Sequence, residues 1–88
     1  MKHLFIINPA AGSWDHTKQY TAAIVESCNA RGLDYRVEGS KAPAECRRIT
    51  REAGETGEEY RVYACGGDGT LNEVASGAAG FPNLAITA

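Results

Sequence analysis

The run Gly66-Gly67-Asp68-Gly69-Thr70 directly follows the apolar segment Tyr60 to Cys65 and directly precedes Leu71-Asn72-Glu73-Val74. A short apolar run stopped by glycine reads as a buried strand, and Leu71, Val74 and Ala75 read as the inward stripe of a helix from Thr70 to Gly77. A strand that passes through so short a loop into a helix belongs to a layered α/β unit. One glycine would suffice for such a turn. Three within four positions remove the Cβ atoms that keep a ligand's oxygens away from the backbone, which suits a phosphate cradle. Asp68, the one charged side chain among them, suits an accompanying cation or a sugar hydroxyl.

The rest of the chain repeats this alternation. Leu4 to Ile7 is continuously apolar and is stopped by Asn8-Pro9, as expected of a strand covered on both faces. Ser13 to Asp15 supply N-cap candidates for a helix whose apolar positions Tyr20, Ala23, Ile24 and Cys28 recur at helical spacing from Lys18 to Arg31, and Gly32 stands at its C-cap. Leu33, Tyr35 and Val37 alternate with polar neighbours, so Leu33 to Glu38 is expected to be a strand near a sheet edge. After Gly39-Ser40 and Pro43, the stripe Cys46, Ile49 and Ala53 marks a second helix, closed by Gly54 and Gly57. Leu84 to Thr87 is the fourth strand. Strands alternating with helices predict a Rossmann-like parallel sheet with helices on both faces. In such a sheet the carboxyl ends of the strands share one edge, where ligands bind. The loops Asn8 to Ser13, Gly39 to Pro43 and Gly66 to Thr70 therefore meet there, and the last feeds a helix N-terminus that favours phosphate.

Composition narrows the function further. Nine Lys and Arg against eleven Asp and Glu give a net charge of −2, with no basic stripe to suggest a nucleic-acid partner. Cys28, Cys46 and Cys65 form no C-x-x-C pair and fall on apolar stripes or at a strand end, so they read as small buried thiols of a reducing cytosol. The apolar run Leu4 to Ile7 is too short for a secretory signal or a membrane span. A soluble, cytoplasmic chain of one small domain is expected.

The phosphate motifs can be tested by name. The chain lacks G-x-x-x-x-G-K-[ST] and lacks G-x-G-x-x-G after its first strand. Its two loops, Asn8-Pro9-Ala10-Ala11-Gly12 and Gly66-Gly67-Asp68-Gly69-Thr70-Leu71-Asn72-Glu73, together resemble the catalytic domain of the diacylglycerol kinase family, which includes sphingosine kinases and bacterial soluble lipid kinases. The resemblance spans the whole chain. The glycine–aspartate signature is shared with NAD kinases, whereas the first loop and Asn72-Glu73 favour lipid kinases. An NAD kinase fragment and a non-catalytic nucleotide-binding regulatory module are the alternatives.

The resemblance implies ATP and Mg²⁺ as cofactors and transfer of the ATP γ-phosphoryl to a lipid hydroxyl such as that of diacylglycerol. Asn8, Pro9, Ala10, Ala11 and Gly12 would contact the nucleotide, although Ser13-Trp14 stand where the family often has a basic residue. Ser40 takes the place of a phosphate-contacting threonine. Gly66, Gly67, Asp68, Gly69 and Thr70 would hold the phosphates, with Asp68 the essential acid, and Asn72 and Glu73 would orient the loop or the nucleotide. The family continues into a second glycine-rich loop and a β-rich C-terminal lobe that binds lipid and supplies metal ligands and a base. Residues 1–88 are therefore expected to be the N-terminal part of the catalytic domain, inactive alone and prone to self-association. Contact with membrane lipid is expected only of the full-length protein, at its periphery.

Several residues have plainer explanations. A hydroxyl capping the helix that begins near Ala42 accounts for Ser40 as well as a phosphate contact does. His3 and His16 read as surface residues, and Trp14 as a loop side chain packed on the next helix. Lys41, Arg47, Arg48 and Arg51 read as a solvated helix face offset by Glu45 and Glu52.

Overall fold

The computed structural model describes residues 1–7, 14–40, 43–66 and 68–87, and for residues 14–20 and 43 the backbone alone. The elements run β1 (Lys2–Ile7), α1 (Trp14–Arg31), β2 (Tyr35–Gly39), α2 (Pro43–Glu55), β3 (Tyr60–Cys65), α3 (Asp68–Ala78) and β4 (Leu84–Thr87). All pairings in the sheet are parallel, and the strand order is β2-β1-β3-β4.

This order dictates where the helices go. The chain steps from β1 to one side, into β2, then crosses back over β1 to β3 and on to β4. Right-handed crossovers then put α1 on one face and both α2 and α3 on the other. The packing agrees. Leu4, Ile6, Val62 and Ala64 point to one face and join Cys46, Ile49 and Ala53 of α2 and Val74 of α3 in a single buried cluster, against which Leu71, Leu84 and Ile86 pack. The α2 stripe Cys46, Ile49 and Ala53 is buried as its spacing predicts.

On the opposite face, Phe5 and Tyr63 lie side by side on β1 and β3 with their rings stacked, centroids 4.2 Å apart and planes 8° from parallel. The Tyr63 hydroxyl meets His3 Nδ1 at 2.8 Å. Both rings are half-buried, and a cleft of about 400 Å³ separates them from Ile24 and Cys28 of α1. His3 is thus a partnered sheet residue rather than a free surface group.

Besides α3 beginning at Asp68 instead of Thr70, the structure refines the sequence reading on three points. First, α1 begins at Trp14, within the stretch that supplies its N-cap candidates, and its polar first turn precedes the apolar period that starts at Lys18. Second, β2 begins at Tyr35 instead of Leu33. The Leu33 N–H donates to the Cys28 carbonyl at 3.0 Å and the Gly32 N–H to the Asn29 carbonyl at 3.2 Å, with Gly32 at φ 65°, so Leu33 belongs to a Schellman cap. Third, Ala75 is exposed, whereas Thr70, Val74 and Gly77 are the buried residues of α3. Those three lie on one stripe at i, i+4 and i+7, and Ala75 is turned away from it. Gly77 sits where α3 crosses α2, and a Cβ there would meet the Arg47 carbonyl oxygen and come 2.9 Å from Thr50 Cβ.

Candidate functional site

The point where the strand connections reverse direction lies between β1 and β3. Ile7 pairs with Gly39 on one side and Cys65 on the other, so the three strands end level. The crevice beyond the carboxyl ends at such a reversal is where open α/β sheets take ligands. Residues Asn8, Pro9, Ala10, Ala11, Gly12 and Gly67 of the sequence reading fall outside the described residues. The structure does place Ser40, Gly66, Asp68, Gly69 and Thr70 at this one edge.

From β2 the edge receives Ser40. Its N–H donates to the Ile7 carbonyl at 2.9 Å, which ties the end of β2 to the end of β1. Its side chain is only 1% exposed, and its hydroxyl lies 3.0 Å from the Cys46 sulfur. The hydroxyl is therefore engaged inside α2 and does not face open water. Cys46, read from sequence as an apolar stripe residue, is the site residue that reading missed. Ser40 and Cys46 are six apart, and no spacing rule marks a thiol as a hydroxyl's partner.

From β3 the edge receives Gly66, Asp68 and Gly69. Cys65 closes the strand, and burial pushes its thiol above the ordinary value of 9.0. Thr70 is buried beneath Gly66. α3 opens with Asp68, so the free amides of its first turn point out of the sheet edge with the positive end of the helix dipole. Asp68 and Gly69 are both exposed, and a Cβ on Gly69 would touch nothing within 4 Å. Among the described residues nothing covers the opening of α3. Among the described residues no cation pairs with the Asp68 carboxylate, and no cluster of three His, Cys, Asp or Glu side chains gathers there.

Asn72 is exposed one turn further along α3. Glu73 is placed differently. Its Oε2 is shielded from solvent without a hydrogen bond among the described residues, and Arg47 Nε of α2 stands 3.6 Å away. The carboxylate bridges α3 to α2 and so bears on the angle at which α3 meets the edge. Arg48 pairs with Glu52 on its own helix at 2.7 Å, as a solvated helix face would, while Arg47 reaches across to α3.

Such an edge can seat an anion on the amides of α3 and set a free carboxylate beside it. An anionic ligand accompanied by a divalent cation satisfies both features. No described helix is long and apolar enough to cross a membrane. In comparison with known proteins, residues 2–87 match the family described as "Diacylglycerol kinase catalytic domain". Comparison with curated protein sequences gives no match.

Proposed function

Since the chain belongs to the diacylglycerol kinase catalytic domain family, we propose that it is the nucleotide-binding lobe of an ATP-dependent lipid kinase. The reaction moves the γ-phosphoryl group of ATP to a lipid hydroxyl such as that of diacylglycerol. The observation that carries this reading is the bare start of α3, with Asp68 unpaired among the described residues at the point where the strand connections reverse.

The division of labour follows from the chemistry. Phosphoryl transfer depends mostly on positioning and on offsetting charge. The amides at the start of α3, with the space left open over Gly69, receive phosphate oxygens. Asp68 is a carboxylate on this edge that would hold Mg²⁺, and the ion would supply neutralisation of the phosphate charge. The loop 8–12 completes the nucleotide contacts, while Ser40, its hydroxyl turned onto Cys46, ties the end of β2 to the end of β1 beside them. Asn72 and Glu73 act on the loop, Glu73 by fixing α3 against α2 through Arg47. On the same reading, lipid is met by a β-rich lobe outside residues 1–88 that touches the membrane peripherally. The chain alone then binds Mg-ATP weakly and transfers nothing.

The test is Asp68→Asn, in the chain for Mg-ATP binding and in the full-length protein for lipid phosphorylation. The fold should survive, since Asp68 is exposed. Turnover should fall on the order of 10²-fold or more, because a charge acting on the metal or the transferring group is lost. Wild-type turnover from this variant would remove the role assigned to Asp68 and leave a nucleotide-binding module. Phosphorylation of NAD rather than lipid would move the chain to the NAD kinases.

A further inference from the structure

We propose that the chain pairs with a second copy of itself along the outer edge of β2, antiparallel and centred on Val37, so that two four-stranded sheets become one. The proposal is independent of the nucleotide reading above. β2 ends the sheet, and among the described residues no strand lies beyond it. Its inner side is occupied. The His3 N–H donates to the Asp34 carbonyl and the Ser40 N–H to the Ile7 carbonyl, each at 2.9 Å, so the even-numbered residues of β2 turn their backbone groups to β1. By the alternation of a strand, the N–H and C=O of Tyr35, Val37 and Gly39 point outward. Groups left so are a template for another strand.

Charge selects which strand. Arg36 and Glu38 lie on one face, with Nε and Oε1 3.3 Å apart and side chains 49% and 40% exposed. So exposed a pair contributes little within one chain. Val37 is the middle residue of Tyr35–Gly39. A two-fold axis through it sets Arg36 of each copy directly across from Glu38 of the other. Opposite charges in that relation attract, and like charges repel. Val37 meets its own counterpart with both outward groups engaged, the hydrogen-bonded kind of antiparallel pair. Tyr35 comes to lie across from Gly39 of the second copy. Gly39 is exposed and a Cβ there would touch nothing within 4 Å, so the ring has room to cover it, as aromatic residues do for edge glycines.

Other registers fail. An axis through Arg36 or Glu38 sets that residue against its own like charge. An axis through Tyr35 brings Leu33 into the seam, yet its N–H is already held by the Cys28 carbonyl at 3.0 Å. An axis through Gly39 runs past the end of β2. Antiparallel pairing also turns the carboxyl edges of the two sheets to opposite sides, so neither copy covers the α3 opening of the other.

The experiment is sedimentation equilibrium of the chain over a range of concentrations, with amide hydrogen exchange alongside. Wild type should dimerise reversibly. Exchange at Tyr35, Val37 and Gly39 should slow as the dimer forms, while Arg36 and Glu38, already bonded to β1, change little. Arg36→Glu and Glu38→Arg each set like charges across both seam positions, so either should raise the dissociation constant about tenfold or more. Mixed together, these two variants should form a heterodimer, because each then faces its opposite. The double variant Arg36→Glu/Glu38→Arg should regain the wild-type constant. Both side chains are exposed, so the swaps leave the fold intact. Val37→Pro removes an outward N–H without taking a bond from β1, and should abolish the dimer. A wild type that stays monomeric at millimolar concentration overturns the proposal. So does a dimer indifferent to the charge swaps, which joins through another face, or a mixture of the two swapped variants that stays monomeric.

Discussion

Thr70 fills the space that a side chain on Gly66 would need: its Oγ1 lies 2.5 Å from where a Cβ on Gly66 would stand. The threonine is buried at 3% exposure and cannot swing aside into water. Gly66→Ala is expected to destabilise the chain by about 1–3 kcal/mol, the ordinary penalty for overpacking. Gly69→Ala meets nothing within 4 Å and should leave stability unchanged or raised by up to about 1 kcal/mol, alanine being the better helix former. Denaturant titration of both variants checks the contrast. Because the space over Gly69 is where phosphate is proposed to sit, Gly69→Ala should weaken Mg-ATP binding without weakening the fold.

Gly77 is the contact on which α3 approaches α2. A methyl group there would meet the Arg47 carbonyl oxygen, backbone that cannot rotate away, and would press on Thr50. Gly77→Ala is expected to lower stability by about 1–3 kcal/mol despite alanine's helix propensity. A melting temperature equal to wild type would mean that the two helices are further apart than the structure has them.

The Arg47–Glu73 pair makes a third contrast. At 3.6 Å the pair is a long one, and Glu73 Oε2 is shielded from water. Glu73→Gln removes both a partly buried charge and its partner's attraction, so a change within about 0.5 kcal/mol is expected. Arg47→Ala leaves the carboxylate without its counter-charge and should cost about 1 kcal/mol. Thermal melts rank the two. If Glu73 touched the nucleotide directly, Glu73→Gln would instead depress Mg-ATP affinity and leave the melting temperature alone.

The Cys65 thiol gives a pH dependence. Burial raises its pKa above 9.0, so the folded chain keeps a proton that the unfolded chain has already released. This contribution to stability is complete below 9.0 and is lost as pH climbs through the folded value. Lys2, raised above 10.5 by its hydrogen bond to Glu58, acts with the same sign at higher pH. Stability measured across the alkaline range should fall, and Cys65→Ala should flatten the lower part of that fall. A Cys65 readily alkylated at neutral pH would contradict the burial that raises it.

How far the sequence could be read depended on what each residue responds to. β3 and β4 were legible to the residue, because short apolar runs between glycine or turn residues respond to local pattern alone. The stripe of α2 was legible for the same reason. Leu33 was misplaced because its apolar side chain fits a strand, while its amide answers to the Cys28 carbonyl at the end of α1. Ala75 was misplaced because small apolar residues pass for core. Only the line Thr70, Val74 and Gly77 shows which side faces α2. At the site, the glycine loop and Asp68 announced themselves through composition. The Ser40–Cys46 contact and the Arg47–Glu73 pair did not, since each joins elements whose meeting only the packed sheet decides.

The strand order β2-β1-β3-β4 also governs how this chain comes into being. Of the four described strands the one made earliest, β1, is an interior one, and among the described residues its apolar Leu4 and Ile6 pack with elements made later. Until β3 appears, β1 can pair on one side alone, leaving the other side open to any passing strand. A sheet that must wait for its distant partners folds slowly and spends that wait exposed to aggregation. Tyr60 to Cys65 thus does more than lead into the glycine loop. Its arrival on the growing chain ends the period in which Leu4 to Ile7 is a sticky, half-paired segment.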